Sequence, residues 1–312
     1  MLAQKLTKII LYWSALIIAA ALLGNTTIAS DNGVAAADFL NIGVGARGAA
    51  MGGAYSAVVD DATASYWNPA RLALIEGKQL AFSHHSWYQD LSYENLAVAY
   101  AVSDRLTVAG SASYMSYGTI EGYDQYDNPI GQVASTYDLS VGLSAGYSIS
   151  ENFACGLTGK LVVLSLAGRE ASALASDIGV SYKLNQFDFG LSMVNLGQKV
   201  KFEQTSENLP AGIRAGVSVR SFGSQLLISL EAENQFYGNL SVRNGFEFRH
   251  LDRYFLRTGY AFYPEEDGHE FGHSLSFGVG ALFGPAQFDY TFSPEEKYSS
   301  ESLHRFSLTL DF

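Results

Sequence analysis

Oily positions alternate with small or polar ones along most of this chain. From Tyr137 to Ile149, one parity holds Tyr137, Leu139, Val141, Leu143, Ala145, Tyr147 and Ile149, and the other holds Asp138, Ser140, Gly142, Ser144, Gly146 and Ser148. Successive side chains of a strand point to opposite faces, so this segment has one apolar face and one small, polar face. Tyr137 and Tyr147 are ten residues apart. At ~3.3 Å per residue and a tilt of ~40–45°, that spacing covers about 25 Å, the height of the apolar band of an outer-membrane barrel between its aromatic girdles.

The pattern recurs. Leu96, Val98, Tyr100 and Val102 alternate with alanines, and Leu275, Phe277, Val279 and Phe283 alternate with Ser and Gly. The chain closes with Phe306, Leu308, Leu310 and Phe312 against Arg305, Ser307, Thr309 and Asp311. A soluble antiparallel sandwich also alternates, but its solvent face carries Lys, Glu and Thr. Here the second face is largely Gly, Ser and Ala, as in a crowded lumen. About fourteen strands run from Gln79–Trp87 to Phe312. Short turns at Ser103–Arg105, Ser150–Asn152, Asn185–Gln186, Phe222–Ser224, Leu251–Arg253 and Gly284–Pro285 alternate with longer links. The links are Gly118–Ser135, Ala167–Ser172, Gly197–Leu209, Asn234–Leu240, Pro264–Gly272 and Ser293–Ser302. Long and short connections in alternation predict an all-β, antiparallel, up-and-down transmembrane barrel over 78–312, with short periplasmic turns.

Before the strands the pattern breaks. Phe39–Leu74 is rich in Gly and Ala, without sustained alternation, and it contains an Asn68-Pro69-Ala70 turn. We read residues 30–77 as a compact plug enclosed by the strands rather than a segment outside them. Asp60 or Asp61 can cap a short helix over Ala62–Trp67, and Asn68 can cap a second with Pro69 at its first position. Tyr66 and Trp67 supply an apolar anchor.

Composition adds the compartment. Lys5 and Lys8 precede an apolar run over Ile9–Leu23, and Thr27-Ile28-Ala29 offers a small-x-small cleavage site, which predicts a signal peptide over 1–29. The run is shorter than the ~20 apolar residues of a spanning helix. An even strand count then puts both termini in the periplasm, and the barrel in the bacterial outer membrane against its lipid. The terminal Phe312 resembles the signature read by the barrel assembly machinery. The net charge of −12 argues against nucleic acid, whose backbone calls for Lys and Arg. Cys155 is the sole cysteine, so no internal disulfide forms.

Three motifs invite a chemical reading and lack its context. Gly43–Gly48 matches GxGxxG without a strand before it or a βαβ unit after it. His269–His273 matches HExxH, but Gly268 and Gly272 interrupt it, and in extended chain the two histidines stand about 13 Å apart. Gly142–Gly146 matches GxSxG, yet Ser144 falls mid-strand rather than on a sharp strand-to-helix turn. No catalytic residues, cofactor or metal are expected, and the chain does not read as an enzyme.

Charges on the polar faces gather in the C-terminal half: Arg214, Glu231, Glu233, Arg243, Glu247, Arg257, Asp289 and Arg305, with Arg220, Arg249 and Asp311 beside them. They can line a solute path. They can also pair across strands, seal the barrel and anchor the plug through Arg47, which we favour because buried charges need partners.

The run Gly43–Arg47, with Gly52, Gly53, Asp60-Asp61-Ala62 and Trp67-Asn68-Pro69-Ala70, resembles the N-terminal signature of the PorV/PorQ family, relatives of the FadL-like long-chain fatty-acid transporters. The likeness continues through Tyr117–Gly122, Asn128–Gly131, Ser172–Gly179 and Asn195-Leu196-Gly197. It covers essentially the whole mature chain and implies an outer-membrane barrel of about fourteen strands. It also implies an accessory, scaffold or cargo-docking role in type IX secretion, with secretion proteins or secreted cargo as partners. The alternative is a FadL-like transporter of a hydrophobic solute. No catalytic residues come with the resemblance.

Overall fold

The computed structural model describes residues 35–86, 91–123, 126, 128–166, 168–202, 205–238, 240–263, 272–295 and 302–312. The proposed signal peptide lies outside them, as do His269 and Glu270 of the HExxH match. The strands are β1 (Lys78–Ser86), β2 (Ser92–Ser103), β3 (Leu106–Tyr123), β4 (Pro129–Ser150), β5 (Phe153–Leu166), β6 (Arg169–Leu184), β7 (Phe187–Gly197), β8 (Val200–Phe202) and β9 (Thr205–Glu207). They continue as β10 (Gly212–Ser221), β11 (Leu226–Gln235), β12 (Leu240–His250), β13 (Tyr254–Tyr263), β14 (Gly272–Phe283), β15 (Ala286–Glu295) and β16 (Leu303–Asp311). Among the described residues, fourteen of these close into an antiparallel barrel, each next to its neighbour in the chain, with β1 sealed to β16; β8 and β9 form a separate hairpin in the link from β7 to β10.

The alternation sorts inside from outside as the strand period requires. Leu143, Leu174, Leu256, Val279 and Phe306 stand exposed on the outer face, while Asp177, Glu231, Glu247, Arg214 and Arg257 are buried on the inner one. The apolar face is the one that meets lipid, the inverse of a soluble core.

The wall is uneven. β1 and β16 have 9 residues each, whereas β3 has 18 and β4 has 22. The link expected over Gly118–Ser135 is therefore mostly strand: β3 and β4 continue as a ribbon from Tyr123 to Pro129. Similarly β5 and β6 run on to Leu166 and Arg169, so that Arg169–Ser172 of the link expected over Ala167–Ser172 is strand. Breaks in pairing between Ser116 and Thr119, between Ile120 and Glu121, and between Gly122 and Tyr123 interrupt the alternation. Bulges of this kind hide a strand from a period-two reading.

Inside the wall lie α1 (Ala46–Ala50), α2 (Ala64–Trp67) and two 3₁₀ turns, Asp38–Asn41 and Pro69–Leu74. The chain enters at the long-link end, where Ala36 N–H donates to the Asn208 carbonyl (2.9 Å). It leaves at the short-turn end, where Lys78 and Phe312 exchange backbone hydrogen bonds of 2.9 and 3.1 Å. Residues 36–77 thus traverse the lumen from one end of the wall to the other.

Candidate functional site

Two parts of this inner segment differ. The outer part, Ala36–Val44, is an arm. Phe39, Leu40 and Val44 are buried with Tyr93, Met115, Val162, Leu164, Val200 and Leu209 in an apolar cluster. The inner part, Gly45–Gly77, is a wedge that reaches every strand of the barrel. Ala46 N–H donates to Ser307 Oγ on β16 (3.2 Å) and its carbonyl accepts from Thr291 on β15. Ser276 on β14 donates to the Ala50 carbonyl (3.2 Å), Ser229 on β11 to Ala54 (2.7 Å), and Ser218 on β10 to Ala57 (3.2 Å). Further on, Ser192 on β7 donates to Trp67 (3.2 Å), Thr158 on β5 to Ser65 (3.3 Å), and Thr107 on β3 to Ile75 (3.4 Å). The Gly77 carbonyl accepts from Ala101 N–H on β2 (2.8 Å). Serine and threonine on the inner face thus satisfy wedge carbonyls that are shut away from water.

Glycines admit the wedge backbone. A methyl at Gly259 would lie 2.0 Å from the Gly52 nitrogen, at Gly156 2.2 Å from the Pro69 carbonyl carbon, at Gly179 2.1 Å from Asn68 Oδ1, and at Gly190 2.5 Å from the Ser56 oxygen. Gly146, Gly216, Gly245 and Gly278 are similarly close to Ala73, Ser56, Met51 and Ala50. Several line up across strands: Gly146 opposite Gly156 and that opposite Gly179, Gly190 opposite Gly216, and Gly245 opposite Gly259. Gly52 and Gly53 have φ of 65° and 80°, a left-handed turn that glycine adopts without strain.

The sequence-predicted residues fall into place around this wedge. Gly43 and Gly48 face the Trp67 ring, where a methyl would come within 2.9 and 2.8 Å. Gly45 is the N-cap of α1, so the GxGxxG match makes a five-residue helix and no nucleotide fold. Trp67 Nε1 donates to the Val44 carbonyl (3.0 Å), and its ring packs edge-on against Tyr55 and Tyr66. Asn68 Oδ1 accepts from Ala70 N–H (3.1 Å) with Pro69 first in the 3₁₀ turn. Asp61 accepts from Thr63 N–H (2.8 Å), holding the turn that enters α2, two residues later than the expected start at Ala62. Ser144 lies mid-strand, 2.8 Å from Thr158 Oγ1. His273 is on β14, so helical spacing of the HExxH match is excluded at that end.

The charges form two chains. In one, Arg47 Nε donates to Glu247 Oε2 (2.8 Å), Arg257 Nε donates to the same oxygen (2.6 Å), and Arg257 Nη1 donates to Asp289 (2.6 Å); Arg47 also pairs with Asp60. In the other, Glu233 accepts from Arg214 (3.0 Å) and pairs with Arg243 (2.5 Å). The Arg214 guanidinium lies over the Tyr66 and Trp67 rings. Glu231 Oε2 accepts from the backbone N–H groups of Tyr55 (3.1 Å) and Ser56 (2.7 Å). Arg305 is buried on β16 opposite His85. Burial alone would lower the Arg47 pKa, but the Asp60 and Glu247 carboxylates outweigh it and raise it. Burial favours a neutral Asp60, yet Arg47 and Arg220 hold its pKa below the ordinary value, while burial pushes the Asp61 carboxyl up.

A cavity lies between wedge and wall beside α1. At Arg47, Tyr55, Asp61 and Ser83 it amounts to about 10 Å³, roughly one water. A groove of about 510 Å³ opens instead on the outer face, over Phe82, Val279, Phe288 and Phe306. Sequence reasoning did not single out the glycine seats, the serine donors, or Gln79, which accepts from Ala62 N–H (2.5 Å) and donates to Asp311 across the seam (2.7 Å). Aligning the strands in register would have brought the glycines together. It also missed a buried ion pair, Lys160 with Asp177 (2.8 Å), beside Asn195.

The family model described as type IX secretion system protein PorV matches residues 27–255. A comparison with curated protein sequences finds no match. Among solved structures, the monoaromatic hydrocarbon channel CymD is similar at 16% identity and a TM-score of 0.61, covering 86% of this chain and 98% of its own. The toluene transporter TodX of Pseudomonas putida is similar at 13% identity and a TM-score of 0.60, covering 86% and 96%. At these identities the likeness is one of fold.

Proposed function

Because the chain belongs to the family of the type IX secretion system protein PorV, we propose that this outer-membrane barrel serves protein secretion as a docking and scaffolding component rather than as a conduit. The observation that supports this reading is the filled lumen: the wedge meets wall backbone at the glycine seats, and the inner charges are engaged with one another and with the wedge. A selectivity lining needs charges facing open solvent, whereas Arg47, Glu247, Arg257, Asp289, Arg214, Glu233 and Arg243 are paired with one another. The short-turn end, with Phe312, then faces the periplasm and engages the barrel assembly machinery, and the ribbon of β3 and β4 stands outside. Cleavage of a signal peptide near Ala29 completes the export route. Deletion of the protein is expected to change the set of secreted proteins, and cross-linking in native outer membranes to capture secretion proteins or cargo. An unchanged extracellular proteome would refute the assignment.

One observation favours a second reading, passage of a hydrophobic solute. The outer half of the lumen, around Phe39, Leu40, Tyr93 and Met115, is apolar, and the barrels it resembles in fold are named as hydrocarbon and toluene channels. Reconstituted protein that neither binds nor passes a monoaromatic probe excludes it.

A further inference from the structure

The wedge meets the wall in a definite order. Ala46 bonds to β15 and β16, Ala50 to β14, Ala54 to β11, and Ala57 to β10. In chain order, Ala62 then bonds to β1, Ser65 to β5, Trp67 to β7, Ile75 to β3 and Gly77 to β2. Apart from Ala62, which meets β1, and Ser65, which meets β5 before Trp67 meets β7, the contacts from Ala46 to Gly77 run from the last-made strands towards the first. Its opening residues therefore hold the places of strands that do not yet exist when it is synthesised.

The fit leaves no clearance. Where Gly259, Gly156 and Gly179 approach Gly52, Pro69 and Asn68, even one added methyl would overlap wedge atoms at 2.0–2.2 Å, inside any van der Waals contact. The wedge also carries Arg47, Tyr55, Tyr66, Trp67 and Arg71, all of which would have to pass the same wall if it entered a finished barrel. The seam is built partly through the wedge. Gln79 on β1 accepts from Ala62 N–H and donates to Asp311 on β16, and Ser307 on β16 accepts from Ala46 N–H.

We infer that the wedge is the template on which this barrel closes: the strands lay down against it in register, and β1 joins β16 only after it is seated. A strand slipped by one residue would turn its glycine or serine outward and its oily side chains onto the wedge, so the wedge selects the register of each strand as it arrives. This holds whichever partner the barrel serves.

The test uses the full chain, folded and then cut at a protease site placed between Glu76 and Lys78. The wedge is expected to stay with the barrel on an unheated gel. After denaturation, separation and refolding into detergent micelles, the barrel fragment should regain its heat-sensitive fast-migrating form only when the wedge fragment is present from the start. Wedge added an hour after refolding begins should restore less than a tenth of that yield. A barrel fragment that refolds alone and accepts the wedge afterwards overturns the inference. If the cut pair does not refold at all, intact chains decide. Gly259→Ala should refold at least tenfold less efficiently than Gly159→Ala, whose added methyl meets nothing within 4 Å; equal yields overturn the inference.

Discussion

The wedge and the arm are consecutive in the chain and enclosed by the same wall, yet they are held by different physics. From Gly45 to Gly77 the contacts are to backbone: glycines that let main chain approach main chain, hydroxyls aimed at carbonyls, and Glu231 on two adjacent N–H groups. From Ala36 to Val44 the packing is apolar, with Ala36 on Asn208, Tyr66 on the Leu40 carbonyl and Trp67 on the Val44 carbonyl as hydrogen bonds. Directional contacts fix one path and tolerate no added volume. Non-directional ones accept a change of shape at modest cost.

The widest test of that contrast is Gly156→Val. Its side chain would overlap Pro69 and Ala70 backbone at 2.2–2.4 Å, and backbone cannot step aside as a side-chain tip can. We expect more than ~3 kcal/mol of destabilisation, beyond the usual range for overpacking, seen as loss of the heat-sensitive fast-migrating form. Arg47→Ala comes next. It strips Glu247 and Asp60 of a shared partner, and breaking a buried pair costs about 3–5 kcal/mol; the low end applies because Arg257 still holds Glu247. Urea unfolding in micelles measures it. The same pair has a defined pH response. Asp60 titrates below its ordinary value, so its contribution is present above the unfolded-state pKa and is lost as pH falls through the lower folded value. Stability should therefore be indifferent to this pair between pH 7 and 5 in wild type and decline only in stronger acid. The smallest effect is expected in the arm: Phe39→Leu keeps an apolar side chain in the cluster and should cost about 1 kcal/mol. A larger loss there than at Arg47 would erase the distinction between the two regions.

How much of this could be read beforehand follows the same divide. Alternation such as Tyr137–Ile149 reports directly which face meets lipid, because the strand period is a local property. The cap formed by Asn68 and Pro69 was equally local. The inner charges were legible as a set, since a buried carboxylate or guanidinium must find a partner, but their pairing depends on register. The seats were not legible one by one. Gly156 and Gly159 are three residues apart on one strand, and only the strand's parity and the wedge's path make the first a seat and leave the second facing open space. The ribbon of β3 and β4 escaped because bulges break the very period that reveals strands, and the site of the arm escaped because Asn208 is remote in sequence.

The unequal strands carry a consequence of their own. Nine residues at a 40° tilt rise about 23 Å, close to the ~25 Å apolar band of an outer-membrane barrel, while twenty-two rise about 55 Å. One flank of this molecule ends near the lipid headgroups and the other stands some 30 Å clear of them, like the back of a chair. A visitor from the medium would meet a one-sided screen, free to approach along the membrane from the low flank and stopped by the tall one, so the direction of arrival is restricted before any side chain makes contact.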